Sequence, residues 1–125
     1  MLFSLDSDTP IARIPHADAY RIYRDRLTDA QYQAITDHLN ERIDGGEVHT
    51  SSWLPGSDWT GTVFQPIYDD ACRRDQQAAA RCFGLILWDV MMQRPEAWAF
   101  GRYEANGAPI EGLTYFRIAD PRAAV

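Results

Sequence analysis

The chain has 125 residues, of which 46% are hydrophobic and 24% charged, and its formal net charge is −6. These values are typical of one soluble globular domain over residues 1–125, and the negative charge disfavours binding to nucleic acid. All twelve basic residues are arginine, which excludes Schiff-base chemistry and the phosphate-loop lysine and, with frequent alanine, favours a bacterial source. The N-terminus has neither a basic segment nor a long apolar run, so we expect a cytoplasmic protein without a membrane segment.

The first part of the chain predicts a short strand followed by a helix. Residues 11–14 lie between two prolines and alternate well enough for a short edge strand. In the next segment, 19–27, a helical stripe passes through Tyr20, Tyr23 and Leu27, although the segment would also suit a strand. We interpret it as a helix.

Residues 28–44 predict an amphipathic helix with defined ends. Thr28 and Gln31 have the spacing of a capping box, in which each side chain bonds the backbone N–H of the other residue. An apolar stripe follows at intervals of three and four residues: Tyr32, Ile35, Leu39 and Ile43. The Gly-Gly pair at 45–46 then predicts a left-handed C-terminal stop.

The connection 49–62 is the predicted ligand-binding site. Loops of this length without secondary structure are often functional, and two tryptophans could wall a small-molecule pocket. The candidate ligand-binding residues are His49, Ser51, Trp53, Asp58, Trp59 and Thr60. In the alternative interpretation, the tryptophans cap the core while Asp58 and the hydroxyl groups bond the backbone of the loop itself. The loop lacks the Gly-x-Ser-x-Gly elbow of a serine hydrolase, which disfavours a Ser-His-Asp site.

Residues 76–94 predict the helix around which the other elements are organised. Between residues 78 and 92 the only charged side chains are those of Arg81 and Asp89, so the helix is apolar nearly all the way round. This stretch is too short and too interrupted by charge to cross a membrane, which takes roughly 20 apolar residues. Gly84 in its interior predicts close packing of another backbone or an aromatic ring.

A short helix is predicted over residues 66–74, with Asp75 capping the start of the longer one. On one continuous helix Cys72 and Cys82 would stand roughly 15 Å apart, too far for a disulfide. A break between the two helices would make a disulfide possible, but two buried free thiols are the favoured interpretation.

The C-terminal part predicts a β-hairpin over residues 98–118 that turns at the Asn-Gly pair 106–107. Centring the turn at that pair places Phe100 opposite Leu113. The expected fold class is therefore α+β. Three to four helices surround a buried central helix at about 76–94 and pack on a small antiparallel sheet containing the hairpin.

An apolar helix needs cover on every side, and the other elements of so short a chain leave part of it open. We therefore expect a symmetric homodimer that covers the remaining face.

Two further features could carry chemistry. A carboxylate in an apolar helix is either a functional acid or the partner of a buried arginine, so for Asp89 we expect a pair with Arg102 or Arg117. The cluster from Arg13 to Arg26 could hold phosphate or stack on single-stranded bases. Interspersed aspartates weaken it, which favours a solvated surface with local ion pairs.

We expect neither metal nor cofactor, because the three histidines share no ligand spacing and the two cysteines form no C-x-x-C motif. The leading hypothesis is a non-catalytic accessory protein that binds a small ligand or a protein partner through loop 49–62 and the adjoining face of the hairpin. One alternative is a small enzyme with Asp58 or Asp89 as its acid or base and His49 nearby. The other is an antagonist of a basic or nucleic-acid-binding protein, acting through an acidic helix face: Asp29, Asp37, Glu41 and Asp44.

Overall fold

A computed structural model describes six stretches of the chain: 1–4, 9–50, 61–101, 104–105, 108–109 and 113–121. In these residues the fold is α+β, with four helices and a mixed four-stranded sheet. The helices are α1 (Ala17–Asp25), α2 (Asp29–Asp44), a π-helix (Ile67–Ala71) and α3 (Gln76–Gln93). The strands are β1 (Leu2–Phe3), β2 (Val48–Thr50), β3 (Trp98–Gly101), β4 (Glu104–Ala105), β5 (Ala108–Pro109) and β6 (Thr114–Arg117).

Helix α2 begins as predicted but ends differently. The Thr28 hydroxyl accepts from the N–H of Gln31 at 3.1 Å, and the Gln31 side chain accepts from the N–H of Thr28 at 2.9 Å. The predicted left-handed stop is wrong, because Gly45 has φ −76° and ψ −5° in the right-handed region and Gly46 has no positive φ either. The N–H groups of Gly45 and Gly46 instead bond carbonyls three residues back, which satisfies the helix end by a tighter last turn.

The π-helix and α3 are separated by a sharp break. Arg73 and Arg74 have φ values of 51° and 64°, in the left-handed region that residues other than glycine rarely occupy. The Asp75 carboxylate then accepts from the N–H groups of Gln77 at 3.0 Å and Ala78 at 3.1 Å, which caps α3. The break and the cap together explain why this region does not form one long helix.

Helix α3 buries nine side chains within the single chain. Leu85, Ile86 and Val90 are only 6%, 1% and 5% exposed. The single chain therefore covers the face of α3 that a second copy of the chain was expected to cover. The homodimer stays a prediction, but this argument for it no longer applies. The packing expected against Gly84 is also not seen, because no described atom other than its chain neighbours and the adjacent backbone of α3 lies within 4 Å of where its Cβ would stand.

The sheet has the strand order β1-β3-β6-β2 and is mixed, not antiparallel throughout as predicted. Strand β1 pairs parallel with β3, while β3–β6 and β6–β2 are antiparallel. The described residues 11–14 do not form the predicted strand. Instead Ile11 donates its N–H to the carbonyl of Leu2 at 2.7 Å, beside a single bridge between Phe3 and Pro10.

The predicted hairpin register is wrong near the sheet. Strands β4 and β5 pair around residues 106–107 as expected, but β3 and β6 place Phe100 opposite Tyr115 and not opposite Leu113. A shift of two residues leaves every side chain on the same face of the ribbon. The alternation of apolar residues therefore could not distinguish the two registers.

Candidate functional site

A cleft of about 670 Å³ lies between α2 and the C-terminal end of α3, and we call it the α2–α3 cleft. Helix α2 lines it with four side chains at four-residue intervals: Tyr32, Thr36, Asn40 and Asp44. The opposite wall carries four polar side chains from the end of α3 and the segment after it: Asp89, Gln93, Arg94 and Glu96. Because residues four apart share one helix face, the polar row on α2 runs beside its buried apolar stripe.

Asp89 is held by two tyrosine hydroxyl groups. Its Oδ2 accepts from the hydroxyl of Tyr32 at 2.8 Å and from that of Tyr20 on α1 at 3.0 Å. The amide of Gln93 approaches the other carboxylate oxygen, Oδ1, at 3.5 Å. The expected arginine pair is not seen in the described residues, which include Arg117 but not Arg102. Three helices therefore converge on this carboxylate, and Oδ1 retains capacity to accept from a ligand.

The two tyrosines are neutral hydrogen-bond donors at ordinary pH. Burial, reinforced by hydrogen bonding and by the nearby carboxylate, raises the pKa of Tyr20 far above its ordinary value of 10. Burial is also the main cause that raises the pKa of Tyr32 to about 12. The guanidinium of Arg24 lies 4.0 Å from the centroid of the Tyr32 ring and pairs with Asp29 at 2.9 Å. These hydroxyls can orient Asp89, but they cannot serve as bases near neutral pH.

Arg94 neutralises the other end of the cleft. It forms two hydrogen bonds to the carboxylate of Glu96, at 2.8 and 2.7 Å, and also bonds Asp44 and the side-chain oxygen of Asn40. The indole N–H of Trp98 donates to Glu96 at 2.9 Å. The bond from Arg94 is the largest cause that lowers the pKa of Glu96 to about 2. Glu96 and Asp44 are thus both committed to the same guanidinium.

The cleft carries a negative charge that is distributed unevenly. Three carboxylates, Asp44, Asp89 and Glu96, line it together with the single guanidinium of Arg94, which leaves a formal net charge of −2. In the described part of the chain, Asp89 is the one of the three without a salt bridge. A positively charged group that enters the cleft would therefore meet its strongest unneutralised attraction at Asp89.

Of the six residues predicted to bind a ligand, only His49 lies among the described residues. His49 lies in β2, where its Nε2 is 3.0 Å from the carbonyl oxygen of Ile43 and 3.1 Å from that of Gly46. Its ring packs against Trp98 with centroids 5.8 Å apart, and it does not line the α2–α3 cleft. The other five lie outside the described residues: Ser51, Trp53, Asp58, Trp59 and Thr60. The loop site stays a prediction.

The arginines of α1 and Arg26, which directly follows it, have local partners. Arg24 pairs with Asp29, Arg21 approaches Asp18 at 4.0 Å, and Arg26 donates to the carbonyl of Ala71 at 2.9 Å. Two of these contacts are local ion pairs, as expected for a solvated surface, and the third is a hydrogen bond to the backbone.

The described residues provide neither a cluster of metal ligands nor a membrane-spanning helix. They contain no group of three or more His, Cys, Asp or Glu side chains arranged to hold a metal ion. Within the same residues, every helix is too short or too polar to cross a bilayer. Comparison of the chain with protein-family models, with curated proteins and with solved structures finds no match.

Sequence reasoning missed this site, although a signal for it was present. The row Thr36, Asn40 and Asp44 has the same four-residue spacing as an apolar stripe, and it is polar throughout. A polar row next to a buried apolar stripe indicates a helix face that the rest of the protein covers only in part. The row could have been noticed, whereas its apposition to Asp89 depends on how the helices pack.

Proposed function

We propose that this chain is a non-catalytic binding protein that takes a small cationic ligand in the α2–α3 cleft. The observation that carries the proposal is the Asp89 carboxylate, which lies on the cleft wall, is oriented by two tyrosine hydroxyls and forms no salt bridge with any described residue. The chemical class of ligand is an organic ammonium or guanidinium group.

A cation suits this cleft for reasons of charge and geometry. An ammonium or guanidinium group can donate to Oδ1 of Asp89 while the tyrosines occupy Oδ2, giving a charge-assisted hydrogen bond. The net charge of −2 on the lining attracts a cation and repels an anion of the same size. The volume falls within the range of small-molecule sites, which is about 300–1,000 Å³.

Polar groups on both walls can fix the rest of the ligand. Thr36 and Asn40 on α2 face Gln93 on α3 across the cleft, and together they offer hydroxyl, amide N–H and carbonyl groups. Such groups can form hydrogen bonds with polar atoms elsewhere on the ligand.

The same geometry favours binding over the alternative of acid–base catalysis. A catalytic acid or base works best when its pKa lies near the working pH. Both tyrosines around Asp89 have pKa values moved further from neutrality, and no described contact joins His49 to Asp89. The cluster is therefore better suited to holding a charge than to transferring a proton.

Calorimetric titration with a matched series of four-carbon compounds tests the proposal. We expect 1,4-diaminobutane and 4-guanidinobutylamine to bind, whereas neutral 1,4-butanediol and anionic succinate do not. The substitution Asp89→Asn keeps an oxygen that can accept from the tyrosines but removes the charge, and it should weaken cation binding about tenfold or more. Asp37→Asn is the matched control, because Asp37 is exposed on α2, outside the cleft, and bonds only Gln33 in the described residues.

Two results would refute this function. In one, the diol binds as tightly as the diamine, so charge makes no contribution. In the other, Asp89→Asn retains a native circular dichroism spectrum and full affinity for the cations.

The loop 49–62 remains a separate proposal for a second contact with the ligand or for a protein partner. Trp53→Ala and Trp59→Ala, titrated with the same compounds, distinguish the two sites. If both variants fold and keep wild-type affinity, the loop takes no part in cation binding. The homodimer and the cytoplasmic location likewise remain predictions, the former checked by light scattering at micromolar concentration.

A further inference from the structure

Arg94 is the cationic residue of the α2–α3 cleft, and its neighbours accept hydrogen bonds from all of its N–H groups. A guanidinium group has five N–H donors. Its Nε and Nη2 donate to the two carboxylate oxygens of Glu96 at 2.8 and 2.7 Å, and Nη2 also donates to Asp44. Nη1 donates to the side-chain and backbone oxygens of Asn40 at 2.9 and 3.4 Å. A carboxylate or phosphate on a ligand must therefore displace one of these acceptors to reach the guanidinium.

The polar groups in the middle of the cleft offer acceptors on both walls. Thr36 donates its hydroxyl hydrogen to the carbonyl of Gln33 at 3.1 Å, so its oxygen can only accept from a ligand. The amide nitrogen of Gln93 approaches Asp89 at 3.5 Å, and the amide oxygen of Gln93 makes no hydrogen bond to a described residue. A ligand that carries N–H donors along its length complements these two oxygens.

The end of the cleft at Arg94 retains one negative charge. Arg94 pairs with two carboxylates, those of Glu96 and Asp44, so the three side chains carry a formal charge of −1 together. Asp44 bonds Arg94 through Oδ1, whereas its Oδ2 has no hydrogen bond within the described part of the chain. The Asp44 side chain is 67% exposed, so a ligand can reach that oxygen. The cleft therefore offers a carboxylate oxygen at each end, one on Asp89 and one on Asp44.

Three helical turns of α2 separate the two ends. Asp89 accepts from Tyr32, and Asp44 follows Tyr32 by twelve residues, which corresponds to about 18 Å along the helix axis. Thr36 and Asn40 stand between them at intervals of about 6 Å. An extended chain can contact both ends and the groups between them, whereas we expect a compact ion to contact one end only.

We infer that the ligand of the α2–α3 cleft is a linear polyamine with three or more ammonium groups. This inference rests on the proposed function, because the first ammonium group is the cation that binds Oδ1 of Asp89. The ammonium group at the other end binds Oδ2 of Asp44, and the secondary ammonium between them donates to the oxygens of Thr36 and Gln93. Aliphatic amines are protonated near neutral pH, so the ligand supplies charged donors where the cleft supplies acceptors.

The same arrangement disfavours an amino acid or another zwitterion. Its ammonium group would bind Asp89, but its carboxylate would then approach an end of the cleft that is itself negative. The guanidinium of Arg94 cannot compensate, because its N–H groups are already bonded and its side chain is only 10% exposed.

Calorimetric titration of the wild-type chain at about 0.15 M ionic strength tests the inference, since this salt screens exposed charges. The probes are butylamine, spermidine, 4-aminobutanoate and hexaamminecobalt(III). Spermidine is a linear trication, and hexaamminecobalt(III) is a compact ion of the same charge. We expect spermidine to bind about tenfold more tightly than butylamine and about fivefold more tightly than hexaamminecobalt(III). The zwitterion 4-aminobutanoate should bind more weakly than butylamine.

Two variants separate the ends of the cleft. Asp44→Asn keeps an oxygen that can accept from Arg94 but removes the charge. It should weaken spermidine about fivefold, the effect of one largely exposed charge pair, and change butylamine by less than about twofold. Asp89→Asn should weaken both amines, because both use that carboxylate. Asp37→Asn, outside the cleft, should change neither.

The inference is overturned if hexaamminecobalt(III) binds as tightly as spermidine, or if 4-aminobutanoate binds more tightly than butylamine. Full spermidine affinity in a folded Asp44→Asn variant overturns it as well. In each of these cases the proposed function still stands as long as butylamine binding depends on Asp89, whereas amine binding that ignores Asp89→Asn removes both. If Asp44→Asn is unfolded by circular dichroism, the probes on the wild-type chain decide alone.

Discussion

The substitution Glu96→Gln should lower the stability of the protein substantially at neutral pH. Glu96 accepts two hydrogen bonds from Arg94 and one from Trp98, and its side chain is 17% exposed. Its pKa falls from 4.5 to about 2, which corresponds to roughly 3 kcal/mol of the free energy of unfolding. We discount this value to about 2 kcal/mol for two reasons. The cleft admits solvent that screens the pair of Arg94 and Glu96, and in the variant Arg94 still has its hydrogen bonds to Asp44 and Asn40.

The loss should depend on pH in a defined direction. A carboxyl group with a depressed folded-state pKa contributes stability above its unfolded pKa, and this contribution is lost as pH falls through the folded pKa. For Glu96 the window runs from about pH 4.5 down to about pH 2. The difference between wild type and variant should be full at pH 7 and should fall to roughly half or less by pH 3.

Urea unfolding followed by tryptophan fluorescence at several pH values measures this difference. Glu41→Gln is the control, because Glu41 is an exposed carboxylate on α2, and it should change stability by less than about 0.5 kcal/mol at every pH. The reasoning is refuted if Glu96→Gln costs under about 1 kcal/mol at neutral pH. It is also refuted if the cost is the same at pH 3, since the loss would then not come from the charge.

Three further substitutions and one control variant test local features by the same unfolding assay. Thr28→Ala removes the cap of α2 and should cost about 1 kcal/mol, and an unchanged midpoint would contradict the role of the capping box. Gly84→Ala should stabilise α3 by about 0.5–1 kcal/mol, because no described atom blocks the added methyl group, and destabilisation would reveal a close contact. Leu39→Ala empties a site that is 0% exposed and should cost about 2–5 kcal/mol. Ile22→Ala, at a residue that is 52% exposed, should stay within about 0.5 kcal/mol, and similar losses in the two variants would contradict the assigned core.

The sequence was most informative where structure depends on neighbours along the chain. The capping box at Thr28 and the cap at Asp75 are both present, because each needs only the two or three residues that follow it. The stripe of α2 is buried because residues three and four apart necessarily share a helix face. The break after Cys72 was predictable for the same reason, because the cap at Asp75 begins α3 as a separate helix.

The sequence was least informative where the structure depends on contacts between segments that lie far apart along the chain. Strand β1 has two residues and pairs with β3 about 95 positions later. A pattern of only two residues cannot specify which strand is the pairing partner. The register of β3 on β6 was missed because the two registers present the same faces. The partners of Asp89 come from α1 and α2, so they depend on the packing of three helices. An arginine was expected on general electrostatic grounds, and two tyrosines take its place.

The two ends of the α2–α3 cleft show how similar carboxylates can have different roles. Glu96 is neutralised by Arg94, so its removal should lower stability and leave little charge for a ligand. Asp89 receives only neutral hydroxyl and amide donors in the described residues, so its charge remains available to a ligand. If this division is correct, Asp89→Asn weakens cation binding more than it changes stability, and Glu96→Gln does the reverse. Because both side chains line one cleft, the opposite responses cannot result from general damage to it.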